Sequence, residues 1–60
     1  MKFFIDASGK QVSVHDHVLL GNRRGIVVSI QHIDEEATIW FYDTRESEYV
    51  KFTNLVRPSY

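Results

Sequence analysis

The chain has 60 residues, no cysteine and a formal net charge of −1, with acidic and basic residues interspersed. This length holds one domain, residues 1–60. The lack of cysteine excludes disulfides and thiolate metal sites, and the balanced charge excludes the basic excess of a dedicated duplex-DNA or membrane-surface binder. No apolar run approaches the ~20 residues of a membrane span. The opening apolar stretch, from Met1 to Ile5, is too short for a signal peptide.

No segment keeps a helical period; apolar residues alternate and turn residues break them at short intervals, which predicts an all-β chain. Ser8-Gly9 reads as a two-residue hairpin turn, because glycine accepts positive φ. That turn sets Ile5 opposite Val12 and Phe3 opposite Val14 on the core face, with Phe4 and Ser13 on the other. A strand over 18–20 follows, then a glycine-bounded turn over 21–25 with Arg23 and Arg24 at its tip. In the β-branched strand 26–30, Ile26, Val28 and Ile30 share one face, and Val27 and Ser29 the other. Strands over 37–42 and 48–52 come next, separated by the turn 43–47. Thr53 to Leu55 reads as one helical turn, and Pro58 ends ladder bonding.

Residues 14–20, the turn 21–25 and the strand 26–30 resemble the opening hairpin of KOW and Tudor-like barrels. Asp43, Glu48, Val50 and Leu55 stand at the spacing of the second half of a Tudor domain, where a strand ends in an Asp turn and a leucine sits on a short helical turn. The resemblance implies a five- to six-stranded Src-homology-3-like barrel, here with an N-terminal hairpin, at the level of fold alone. The family's turn tyrosine corresponds to Thr44 and its first-hairpin aromatic falls near Arg24 to Ile26, so no cage for a methylated cation is expected. Plasmid type II dihydrofolate reductases are similar small barrels, but their Val-Gln-Ile-Tyr motif is replaced here by Glu48-Tyr49-Val50-Lys51.

Alternation that points Ile39 and Phe41 inward points Trp40 and Tyr42 outward, with Val27 and Tyr49 expected beside them. Such a face suits binding to a partner protein or to a second copy, since Trp and Tyr dominate binding hot spots. The competing account has the N-terminal hairpin covering the face through Phe4. A second class of function, RNA or DNA binding, would use Arg23, Arg24 and Lys51 with stacked aromatics. His15 and His17, two apart, offer at most half of a zinc site, so no metal is expected. Asp34-Glu35-Glu36 lacks calcium-loop spacing and reads as a solvated acidic turn. No nucleophile setting is present and a small barrel has little room for a closed pocket, so no enzymatic activity and no cofactor are expected. The absence of cysteine fits a cytoplasmic setting.

Overall fold

The structure, a computed structural model, describes residues 3–58. The stretch weighed above as a leader begins with Met1 and Lys2, which lie outside the described residues. Six strands form in chain order: β1 (Phe3–Ile5), β2 (Gln11–Ser13), β3 (His17–Leu20), β4 (Arg23–Gln31), β5 (Glu36–Phe41) and β6 (Glu46–Lys51), followed by a 3-10 helical turn (Phe52–Asn54). They make two antiparallel sheets, the hairpin β1-β2 and the meander β3-β4-β5-β6, and the ladders do not close on themselves.

Strand alternation sorts the meander into two faces. Val18, Val27, Ala37, Ile39, Phe41 and Val50 point inward and are buried, with Phe4, Val12 and Leu55 packed onto them from outside the sheet. The Phe4 ring stacks on Phe52 at 4.3 Å with 4° between the planes, which seats the hairpin on the inner face. The C-terminal segment ties the two sheets together. Leu19 and Val56 exchange N–H···O bonds of 2.8 and 3.0 Å, and the Ala7 N–H bonds to the Leu55 carbonyl at 2.9 Å.

Two expectations about register are corrected. In the N-terminal hairpin Phe4 pairs with Val12 and Phe3 with Ser13, so Phe4 and Val12 face the core and Ile5 is 52% exposed. The cause is Asp6, whose Oδ1 accepts from the Ser8 N–H, the Ser8 hydroxyl and the Lys10 N–H at 2.8 to 2.9 Å. This side chain organises a longer loop in place of a two-residue turn, and a one-residue slip exchanges the faces.

The second correction concerns Val27, expected on the outer face; it is fully buried. Val27 pairs with Ile39 and Ser29 with Thr38, so Val28 is an extra residue in a β-bulge and is 48% exposed. A bulge breaks the two-residue period, which lets both Val27 and Ile30 face inward. Val27→Thr is expected to cost about 2 kcal/mol by burying a hydroxyl, whereas Val28→Thr stays within about 0.5 kcal/mol. Equal losses in urea unfolding would contradict this assignment.

Candidate functional site: the outer face of the meander

Cross-strand partners share a face, so the register fixes what lies outside. Trp40 pairs with Ile26 on one side and Ser47 on the other; His17 in turn pairs with Ile26. One row across the sheet therefore reads His17, Ile26, Trp40, Ser47. The next reads Ser29, Thr38, Tyr49. Tyr42 continues the β5 alternation past the end of the strand, held by its N–H to the Arg24 carbonyl at 3.1 Å.

Trp40 is half-buried and meets Tyr42 edge to face, with ring centroids 5.0 Å apart and planes at 88°. Such a pair contributes about 1 kcal/mol beyond its buried area. The Tyr42 hydroxyl lies 3.2 Å from His17 Nε2, and the two rings stack at 6.1 Å. These contacts fix the orientation of a ring that is still 45% exposed. Tyr49 is 71% exposed. Phe4, the cover in the competing account, packs instead on the opposite face with Phe52. Trp40, Tyr42 and Tyr49 thus share the outer face, Trp40 and Tyr42 in ring contact and Tyr49 beside Thr38, and Val27 does not belong to it.

Arg23 and Arg24 are not at a loop tip. Both lie in β4, and the turn before them is Gly21-Asn22, with Gly21 at φ 63°. As strand neighbours they face opposite sides of the sheet. Arg23 lies over the Phe41 ring at 4.0 Å and donates through Nε to Asp43 at 2.9 Å and through Nη2 to Glu48 at 3.2 Å. Hydrogen bonding to Arg23 lowers the Asp43 carboxyl, and the bonds to Asp43 and Glu48 raise the guanidinium. Its planar fork therefore closes the β5-β6 turn. Lys51 bonds the Asp34 carbonyl at 3.0 Å and lies 3.6 Å from Glu36. That places it at the Glu36 end of β5, whereas Arg24 sits at the Tyr42 end, roughly 20 Å away along the strand. The three cations expected to form a nucleic-acid patch do not converge.

Two surface features escaped the sequence. Ile33, on the turn between β4 and β5, is 99% exposed. A shallow open depression of about 150 Å³ is lined by His15, Asp16, His17, Arg57 and Pro58. Part of its wall is committed: Asp16 accepts from the Ser13 N–H at 2.8 Å, and Arg57 Nη1 donates to the Gln11 carbonyl at 2.8 Å. Among the described residues no group of three His, Asp or Glu side chains is placed to hold a metal ion.

The class defined by fold and surface is a small all-β protein of two antiparallel sheets with an aromatic outer face. No family model matches the chain, and comparison with curated proteins and with solved structures finds no match. Among the described residues no helix is long and apolar enough to cross a membrane.

Proposed function

We propose that this protein is a non-catalytic interaction or regulatory module that binds a partner protein, or a second copy of itself, through the face carrying Trp40, Tyr42 and Tyr49. One observation carries this role: three aromatic residues lie on one sheet face, two of them exposed, while the N-terminal hairpin packs on the opposite side. Rigid aromatic side chains supply contact area at low entropic cost, and exposed aromatic clusters concentrate binding energy. The reducing, cytoplasmic setting inferred from the lack of cysteine is part of the same proposal.

For the fold we favour the Src-homology-3-like small barrels, with the Tudor and KOW domains as the types the sequence resembles. The meander, the 3-10 turn after β6 and the Val56 segment bonded to Leu19 support that placement. RNA or DNA binding is the second class of function; it has less support, because Arg23 is bound to carboxylates and Lys51 lies far from Arg24.

The test is retention of proteins on the immobilised chain together with sedimentation of the free chain, for wild type and for Trp40→Ala with Tyr42→Ala. The double variant is expected to lose captured protein at least about tenfold, the equivalent of ~1.4 kcal/mol. Unchanged capture together with unchanged assembly would end the proposal. Steeply salt-dependent retention of nucleic acid would favour the second class.

A further inference from the structure

We propose that β6 pairs antiparallel with β6 of a second copy of this chain, in register at Tyr49, so that two four-stranded sheets become one continuous sheet. This deepens the interaction role above and rests on it in one respect only, that the chain acts by binding.

The strand order leaves β3 and β6 as the edges of the meander. The β3 edge is covered, since Leu19 exchanges backbone bonds with Val56. Among the described residues nothing bonds to the outer edge of β6. The direction of its backbone groups follows from two bonds. The Tyr42 N–H points to β4, at Arg24, and the Phe52 N–H points to Glu35, the residue just before β5. Because direction alternates along a strand, Glu46, Glu48 and Val50 address β5, and Ser47, Tyr49 and Lys51 present N–H and C=O outward. Such a row is a template for another strand.

Charge selects the register. Centring the pair at Tyr49 sets Tyr49 against itself, Ser47 against the second copy's Lys51, and Glu48 against its Val50, so that every outward group is bonded and no like charges meet. Centring at Glu48 sets two carboxylates face to face, and centring at Ser47 sets Glu46 against Glu48; both repel. Centring at Val50 opposes Ser47 to Thr53, which lies in the 3-10 turn outside any strand. In the Tyr49 register the Glu48 charge is already met by Arg23 at 3.2 Å. The two Tyr49 rings then lie side by side, and the aromatic faces join across the seam. Pairing of one short edge buries little area, so the dimer is weak and concentration-dependent.

The absence of cysteine makes the test clean. A hydrogen-bonded antiparallel pair holds its Cα atoms about 5.5 Å apart, within reach of a disulfide. Tyr49→Cys is therefore expected to cross-link in a glutathione buffer at least about tenfold faster than Glu46→Cys, which is also exposed but faces Phe52 of the second copy. Equal rates overturn the proposal. In sedimentation, Tyr49→Pro is expected to be monomeric yet folded, because its N–H takes no part in the β5 ladder; Tyr49→Thr keeps that N–H and dimerises. A wild-type chain that stays monomeric at ~1 mM overturns the proposal. So does a dimer that survives Tyr49→Pro but is lost in Trp40→Ala with Tyr42→Ala, an outcome that moves self-association onto the aromatic face and leaves the broader binding role standing. The cysteine pair decides independently of whether Tyr49→Pro folds.

Discussion

Gly25→Ala is expected to remove most of the protein's stability. Gly25 sits in β4 on the inner face, paired with Val18 on one side and Phe41 on the other. A methyl group there would meet Ile39 Cγ2 at 2.5 Å, the Trp40 carbonyl oxygen at 2.9 Å and Phe41 Cδ1 at 3.2 Å. The Ile39 methyl sits on the Cβ of a fully buried, β-branched side chain, which is stiff about that bond. The Trp40 oxygen is backbone of the neighbouring strand, so relief requires β4 and β5 to part where both contribute to the core. Overpacking of this kind costs about 3 kcal/mol. A chain this short holds only ~3–5 kcal/mol in reserve, and the midpoint of thermal unfolding is expected to fall by roughly 15 °C. A midpoint unchanged from wild type would mean that the strands are not this close. The same contact positions Trp40, so the substitution should also weaken capture of a partner.

Removal of the Asp6 carboxylate has the second large effect, and it is visible in the response to pH. Asp6 is buried, accepts from Ser8 and Lys10 through Oδ1, and accepts from the Arg57 N–H through Oδ2 at 2.6 Å. It thereby joins the loop after β1 to the C-terminal segment. Burial by itself raises this carboxyl, but the bonds from Arg57, Lys10 and Ser8 outweigh it, and the group titrates below the ordinary carboxylate range. A depressed value in the folded state means that the contribution is complete above the unfolded value, about 3.9, and is lost as pH falls through the folded value. Asp6→Ala leaves the N–H groups of Ser8, Lys10 and Arg57 without their acceptor and is expected to cost about 3 kcal/mol at neutral pH. Asp6→Asn keeps one acceptor but turns a donor toward Ser8 or Arg57. Its stability is expected to be lower than wild type at pH 7 and to fall less steeply below pH 4. Parallel curves for the two proteins in acid would show that Asp6 does not carry this linkage.

The two corrected registers mark the limit of what alternation can show. The meander was legible because Ile39, Phe41 and Val50 alternate with polar or aromatic neighbours over six-residue strands. The first hairpin was not, because β1 and β2 have three residues each, too few for a period to outweigh the turn. There the side chain of Asp6, whose role depends on Arg57 at the other end of the sequence, sets the loop. Val27 was misplaced because three β-branched residues in a row hide a bulge: any of them fits either face, and only the pairing with Ile39 and Thr38 reveals the extra residue.

Within the site, Trp40 and Tyr42 were legible from alternation alone, and Tyr49 from the strand that follows. The partners of Arg23 were not, since Asp43 and Glu48 are distant in sequence and the cation faces inward over Phe41. A charged residue beside a turn looks like a solvated tip until the register is known. The place of β6 at the edge of the meander was equally hidden, because edge status belongs to strand order and not to composition.

The central claim is that the outer aromatic face is the binding surface. Its most direct test is chemical-shift mapping on isotope-labelled chain, titrated with the protein retained by the immobilised wild type. The expected result is that perturbed signals cluster at Thr38, Trp40 with its indole N–H, Tyr42, Ser47 and Tyr49. Perturbation confined to His15, His17 and Arg57, or to the inner-face turn around Arg23 and Asp43, would contradict it.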